Sequence, residues 1–229
     1  MQTQSAPVDQ QLLERLDRLD SCAVSDALDF LNLRGAVVGL RPLWDCRRTV
    51  GRAVTVKVVP AGLTRPEHHL AAPAIESASP GDVIVIDNSG RTDVSSWGGI
   101  LTHAAQLKGI RGVIVDGACR DVDEMRDLGF PAYARSGVQI TARGRLIQDS
   151  FNTLIQCAGV QVRPGDLVLA DHSGVVFIPQ ERATEVIEAA ERIMAREAQM
   201  VEAVHAGQSV VDVMAESQFQ AIHEQSASH

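Results

Sequence analysis

One stretch of this chain is echoed later. Pro80-Gly81-Asp82-Val83-Ile84-Val85-Ile86-Asp87 returns as Pro164-Gly165-Asp166-Leu167-Val168-Leu169-Ala170-Asp171. Each copy is a Pro-Gly-Asp turn that launches a short buried strand and ends it on a carboxylate. Two copies do not make a solenoid. They place strands in related positions of a compact fold with more than one sheet layer.

The segments around the echo alternate between helix and strand. Leu12, Leu13, Leu16 and Leu19 carry helical spacing over Gln10 to Leu19. A second helix begins after Ser21, carries Val24, Ala27, Leu28 and Leu31, and is expected to stop at Gly35. Val54 to Val59 alternates as a strand does. Between the two echoes lie a helix from about Gly99 to Lys108, ended by Gly109, and an apolar strand, Gly112 to Val115. A loop, Asp116 to Arg120, and a short helix from Val122 follow. Pro131 to Ile147 reads as short strands with no helix between them, and Val175 to Ile178 as a further strand. A long helix runs from about Arg182 to Ala206 and stops at Gly207; the tail from Glu216 is polar and expected to fray. No Pro/Ser linker or low-complexity run divides residues 1–229, so one domain is expected. The pattern favours a mixed α/β or layered β/β/α fold over a pure doubly wound sheet.

Composition narrows the function. With 21 Lys plus Arg against 29 acids the net charge is −8, which argues against a nucleic-acid or anionic-membrane surface. It does not exclude a small anion, because a few placed arginines reverse the local field. Met1 to Gln10 lacks a secretory pattern, and no apolar run reaches the roughly 18 residues that cross a bilayer. Cys22, Cys46, Cys119 and Cys157 are spread without a CxxC pair and read as buried free thiols in a reducing compartment. The expected location is the cytoplasm.

Two segments carry chemistry. Trp97-Gly98-Gly99-Ile100-Leu101 opens a helix, where adjacent glycines admit a ligand to the backbone. First-turn amides and the helix dipole there suit a carboxylate. The plainer reading is a loop end and a helix start. In Asp116-Gly117-Ala118-Cys119-Arg120-Asp121-Val122-Asp123-Glu124, Arg120 can hold a carboxylate or an enolate oxygen, and Asp121 a hard divalent cation. The plainer reading is a capping box, Asp121 at the N-cap and Glu124 at N3.

Taken together, Gly99, Arg120-Asp121 and Glu124 at this spacing resemble the signature of the class II pyruvate aldolases. These cleave 4-hydroxy-4-methyl-2-oxoglutarate and 4-carboxy-4-hydroxy-2-oxoadipate, in a superfamily that includes the regulator of ribonuclease activity A. Ser21 to Leu28, both Pro-Gly-Asp strands and Asp171 to Val176 extend the resemblance over most of the chain. It implies a layered β/β/α, swivelling-domain-like fold with mixed sheets and a long C-terminal helix. It also implies homotrimers or homohexamers with sites between subunits. By position, Gly98, Gly99, Ile100 and Leu101 match the loop whose amides bind the pyruvate carboxylate. Arg120 matches the substrate-binding arginine, and Asp121 the aspartate that coordinates Mg²⁺ or Mn²⁺. Relatives bring a C-terminal glutamate from a neighbouring subunit near the metal. Glu197 is the candidate here: it interrupts an apolar stripe of Val186, Ala190, Ile193, Val201 and Val204, or else lies on its solvated edge.

The implied activity is cleavage of a 4-hydroxy-2-oxo acid to pyruvate through an enolate, with oxaloacetate decarboxylation as a side activity. No Schiff-base lysine is required. The rival readings are a non-catalytic regulator that inhibits a ribonuclease by protein contact, and a related decarboxylase or hydro-lyase. Retention of both Arg120 and Asp121 favours the enzyme. A methyltransferase reading fails for want of a Gly-rich nucleotide loop after an N-terminal strand. The stretch Leu63 to Ala72, with Arg65, Glu67, His68 and His69, and His172 in the second echo depart from the family pattern. His103, Trp44 and Trp97 read as packing residues. Cys119 adjoins Arg120, which would lower its pKa, but no partner makes it a nucleophile.

Overall fold

The computed structural model describes residues 10–215; the tail expected to fray lies outside them. Helix α1 spans Gln10–Leu16 and α2 spans Ser21–Phe30, its Asp20 side chain accepting the Ala23 amide as N-cap. Short strands β1 (Ala36–Val37) and β2 (Arg41–Pro42) lead to the long β3, Thr49–Pro60. Then come α3 (Ala72–Ser77), β4 (Val83–Trp97), α4 (Gly99–Leu107), β5 (Gly112–Cys119) and α5 (Val122–Asp127). Strands β6 (Ala132–Gly137), β7 (Leu146–Phe151), β8 (Ile155–Cys157), β9 (Val160–Val162), β10 (Leu167–Ala170) and β11 (Val175–Ile178) follow. A long helix, α6 (Ala183–His205), and a short one, α7 (Val210–Val213), complete the described chain.

Strand β3 organises the sheet. Its first half pairs antiparallel with β10, from Arg52 opposite Leu167, and its second half pairs parallel with β4, from Ala53 opposite Val83. The echoed strands therefore both pair with β3, starting at the same level and running in opposite directions. Their turns match as well. Gly81 and Gly165 take φ of 93° and 90°, open only to residues without a Cβ penalty. Asp82 accepts the Ser79 amide and Asp166 the Arg163 amide, each closing its turn three residues back. Burial raises the pKa of both carboxyls, against those hydrogen bonds.

The sheet continues as β1-β11-β10 on one side of β3 and β4-β5-β6-β2 on the other, with β7 also on β3 and β8-β9 as a separate hairpin. Alternate residues face different cores. Leu167 and Leu169 pack with Val24, Leu28, Val186 and Ile187 under α1, α2 and α6. Val113 and Val115 pack with Ile75, Leu101 and Met125 under α3, α4 and α5. Val168, Ala170, Val85 and Ile114 meet between the two halves. The layered mixed α/β fold is as expected, with helices outside both halves. Val83 to Ile86 are fully buried, which is why this strand reads as an unbroken apolar run.

Some boundaries differ from the sequence reading. Helix α1 ends at Leu16, not Leu19. Helix α2 ends at Phe30, and Asn32, at φ 53°, makes the turn assigned to Gly35. Gly35 serves close packing instead: a Cβ there would lie 2.1 Å from the Phe177 carbonyl oxygen. Strand β5 continues through Asp116 to Cys119, the stretch read as a loop, because Ala118 and Cys119 pair with Ser95 and Trp97 at the end of β4. Gly35→Ala should accordingly destabilise the fold by about 1–3 kcal/mol, since the clash is with backbone that cannot rotate away. A lowered urea midpoint with an unchanged slope is the expected result.

Candidate functional site

The carboxyl ends of β4 and β5 lie side by side, and a cavity of about 410 Å³ opens there. Ligands in α/β folds collect at such strand ends. Its wall is Ser95 to Leu101 at the β4–α4 junction, with Arg120 and Asp121 where β5 ends. Its rim is His69-Leu70 and Thr141 to Arg143, from two loops.

The two glycines bring these parts into contact. A Cβ on Gly98 would lie 2.8 Å from Asp121 Oδ2 and 2.9 Å from Arg120 Cγ; one on Gly99 would lie 1.8 Å from Glu124 Oε2. The Gly99 amide donates to Asp121 Oδ2 at 2.9 Å. Thr102 N is bonded to the Gly98 carbonyl at 3.1 Å. Among the described residues the Ile100 and Leu101 amides of this first turn have no protein partner, so they are the ones open to an anion. Arg120 Nε lies 3.1 Å from Asp121 Oδ2, and both side chains stay partly exposed. That contact leaves the terminal guanidinium nitrogens uncommitted.

Asp121 is not the helix cap that its spacing from Glu124 suggested. It sits at φ 60°, ψ 40° and makes no capping bond to α5. An N-cap needs extended backbone to turn its oxygen onto its own helix; the left-handed conformation turns the carboxylate across to α4 instead. Glu124 pairs with His103 Nε2 at 3.0 Å on an exposed surface, which gives that histidine a polar partner outside the core. Trp97 packs inside, its ring stacked on Phe130 at 6.2 Å and its Nε1 donating to Thr102 Oγ1 at 2.9 Å. Cys119 is fully buried, and burial raises its thiol pKa, the opposite of the lowering that Arg120 next to it suggested. His172 forms an exposed pair with Asp45.

Of the sequence candidates, Gly98, Gly99, Ile100, Leu101, Arg120 and Asp121 line this one cavity, while Glu197 does not. Glu197 is exposed on α6, its carboxyl pKa raised by partial burial and by Asp20 and Asp26. His69, Ser95, Ser96, Thr141 and Arg143 line the cavity without any motif to announce them. Ser95 anchors one loop by its amide and hydroxyl on the Ile140 carbonyl; Gln148 anchors the other through the Ala71 amide.

The profile of the RraA-like family, Aldolase/RraA, matches residues 21–177 and so takes in the whole β4–α5 wall of this cavity. The chain belongs to that family. It is 36% identical over 175 residues to a protein of Halalkalibacterium halodurans named, provisionally, 4-hydroxy-4-methyl-2-oxoglutarate aldolase, covering 76% of this chain and 79% of that one. Legionella pneumophila DlpA is 32% identical over 199 residues, or 87% of this chain; those residues span only 32% of DlpA. The solved structure of Streptomyces coelicolor RraAS2, described as an unusual member of the RNase ES inhibitor RraA family, superposes with a TM-score of 0.75 at 27% identity. That match covers 85% of this chain and 97% of RraAS2.

Gly98→Ala tests the close packing of this wall. The backbone at Gly98 is extended, φ −164°, so alanine brings no strain of its own. The new methyl should displace the Arg120–Asp121 pair while global stability changes by less than about 1 kcal/mol, as for a surface substitution. A crystal structure and a thermal melt of the variant check both halves.

Proposed function

We propose that this chain is a divalent-metal-dependent lyase that cleaves a 4-hydroxy-2-oxo acid to pyruvate and a second oxo compound. Its substrate would be of the class of 4-hydroxy-4-methyl-2-oxoglutarate or 4-carboxy-4-hydroxy-2-oxoadipate. The observation that carries the reading is Arg120 and Asp121 lining one cavity beside the open Ile100 and Leu101 amides, with Asp121 bonded to the adjoining Gly99 amide. The two amides and the α4 dipole bind the substrate carboxylate. The planar Arg120 guanidinium donates to the 2-oxo oxygen and follows it as charge develops there.

Asp121 fits a hard cation. It is the one carboxylate lining the cavity, and no group of three His, Cys, Asp or Glu side chains is clustered among the described residues. Mg²⁺ and Mn²⁺ suit one carboxylate with the remaining positions on water and substrate oxygens. A cation held by Asp121 would supply Lewis-acid stabilisation of the enolate oxygen. Oxaloacetate decarboxylation leads to the same enolate and is the expected side activity. No helix among the described residues is long and apolar enough to cross a membrane. A protein-contact regulator, the other role found among relatives, has no need of a paired Arg120 and Asp121 in a cavity.

The test is a lactate-dehydrogenase-coupled assay for pyruvate release from a panel of 4-hydroxy-2-oxo acids and oxaloacetate. Activity should require Mg²⁺ or Mn²⁺ and vanish with EDTA. Asp121→Asn should abolish turnover at ordinary Mg²⁺ concentration while the circular dichroism spectrum is kept. EDTA-insensitive turnover, or a fully active Asp121→Asn, would sink the reading.

The proposal extends to an oligomer in which Glu197 acts on a neighbour's site. Supporting this, Val201 and Val204 beyond it are exposed, so the stripe is left open where α6 leaves the core. Glu197→Gln should assemble normally and lose about 10²–10⁴-fold in turnover, as for a group that relays protons between solvent and the site without itself taking the 4-hydroxyl proton. Subunit exchange between inactive Glu197→Gln and inactive Arg120→Ala proteins should restore part of the activity. Mixed oligomers, verified by mass, that stay as inactive as their parents would exclude action in trans.

A further inference from the structure

Cleaving a 4-hydroxy-2-oxo acid requires a base for the 4-hydroxyl, and the cavity wall contains few groups able to serve. Among the described residues its titratable lining groups are His69, Arg120, Asp121 and Arg143. The arginines stay protonated and have no lone pair to offer. Asp121 is the cation ligand of the lyase reading, and its oxygens already accept from the Gly99 amide and Arg120 Nε, so it is not the base.

His69 differs. Its Nδ1 lies 3.0 Å from the Leu70 carbonyl oxygen, an atom that can only accept, so Nδ1 carries the proton. In the neutral ring this fixes the tautomer and leaves the lone pair on Nε2. Among the described residues Nε2 has no protein partner. The Gln148 side chain, accepting from the Ala71 amide at 2.8 Å, pins the segment that holds the ring at the rim.

We propose that His69 is the general base of carbon–carbon cleavage, an inference that rests on the lyase reading above. Nε2 takes the proton of the substrate 4-hydroxyl as the C3–C4 bond breaks. The O–H electron pair becomes the new C4 carbonyl π bond. The C3–C4 pair becomes the enolate of pyruvate, its oxygen held at Arg120. The imidazolium gives its proton to solvent, and C3 takes one from solvent, so the step balances without an oxidant or reductant.

This assignment separates two reactions of one site. Oxaloacetate loses CO₂ to the same enolate but has no 4-hydroxyl to deprotonate, so it does not need the base. The experiment compares wild type, His69→Gln, His69→Ala and His68→Gln, with Mg²⁺, for cleavage of 4-hydroxy-4-methyl-2-oxoglutarate and for decarboxylation of oxaloacetate. His69→Gln should lower the kcat of cleavage by about 10²–10⁴-fold and leave decarboxylation within about twofold of wild type. His69→Ala should regain part of its cleavage activity when imidazole is added. His68→Gln, whose side chain is outside this cavity, should match wild type in both reactions. Cleavage retained in His69→Gln, or a parallel loss of both reactions, overturns the assignment and spares the lyase reading. A wild-type chain inactive on both substrates overturns the lyase reading itself, and the base with it.

Discussion

The hydrogen bond from the Gly99 amide to Asp121 Oδ2 joins the two halves of the cavity wall. It ties the start of α4 to the end of β5, and several features follow from it. Asp121 must leave the right-handed region to reach across, a conformation that aspartate tolerates better than most residues. Gly98 and Gly99 must lack side chains, because the carboxylates of Asp121 and Glu124 and the stem of Arg120 fill the space a Cβ would take. Arg120, turned onto the same carboxylate through Nε, is thereby aimed at the cavity with its terminal nitrogens unspent. A site held by one cross-link of this kind is rigid at low cost, since both partners come from the ends of neighbouring paired strands.

That adjacency comes from β3 and its neighbours. Because β3, β4 and β5 run parallel in register, with Ala53, Val83 and Gly112 on one level, their carboxyl ends emerge together. Strand β10 cannot contribute to that edge, since it runs the other way. The two Pro-Gly-Asp strands therefore have the same local chemistry and different consequences. The first, in β4, delivers the site; the second, in β10, buries Leu167 and Leu169 against α2 and α6.

Features written in local sequence were legible in advance. The echoed turns, the apolar run of β4, β11 at Val175–Ile178 and the stop of α6 before Gly207 are all signals carried within a few residues. The joint spacing of Gly99, Arg120 and Asp121 marked residues that line one cavity. Where the sequence misled, a distant partner had won. The capping-box pattern at Asp121 and Glu124 satisfies a local rule, but the Gly99 amide and His103 took the two carboxylates instead. The extension of β5 to Cys119 depends on a partner strand with shifted register beyond Asp87, which no periodicity announces. His69 and Arg143 lie in loops with no pattern at all. They are held at the cavity by links spanning 77 and 45 residues, the Ala71 amide to Gln148 and the Ser95 amide and hydroxyl to the Ile140 carbonyl.

The acidic surplus of the chain and the anion binding proposed for the cavity are compatible because they act over different ranges. Exposed charges more than about 8 Å away are largely screened at physiological salt. Among the described residues the lining charges of the cavity are Arg120 and Arg143 against Asp121, with the α4 dipole pointing the same way as the arginines. Asp121 keeps this balance from becoming a trap. With one oxygen on the Gly99 amide and both near Arg120, it occupies donors that a bare anion would otherwise take. What remains open is a pair of adjacent amides and a guanidinium edge, a combination that matches a planar carboxylate with a neighbouring oxo group better than it matches chloride or an isolated carboxylate. On the proposed function, selectivity for a 2-oxo acid would come from which donors Asp121 leaves free, as much as from the positive charge itself.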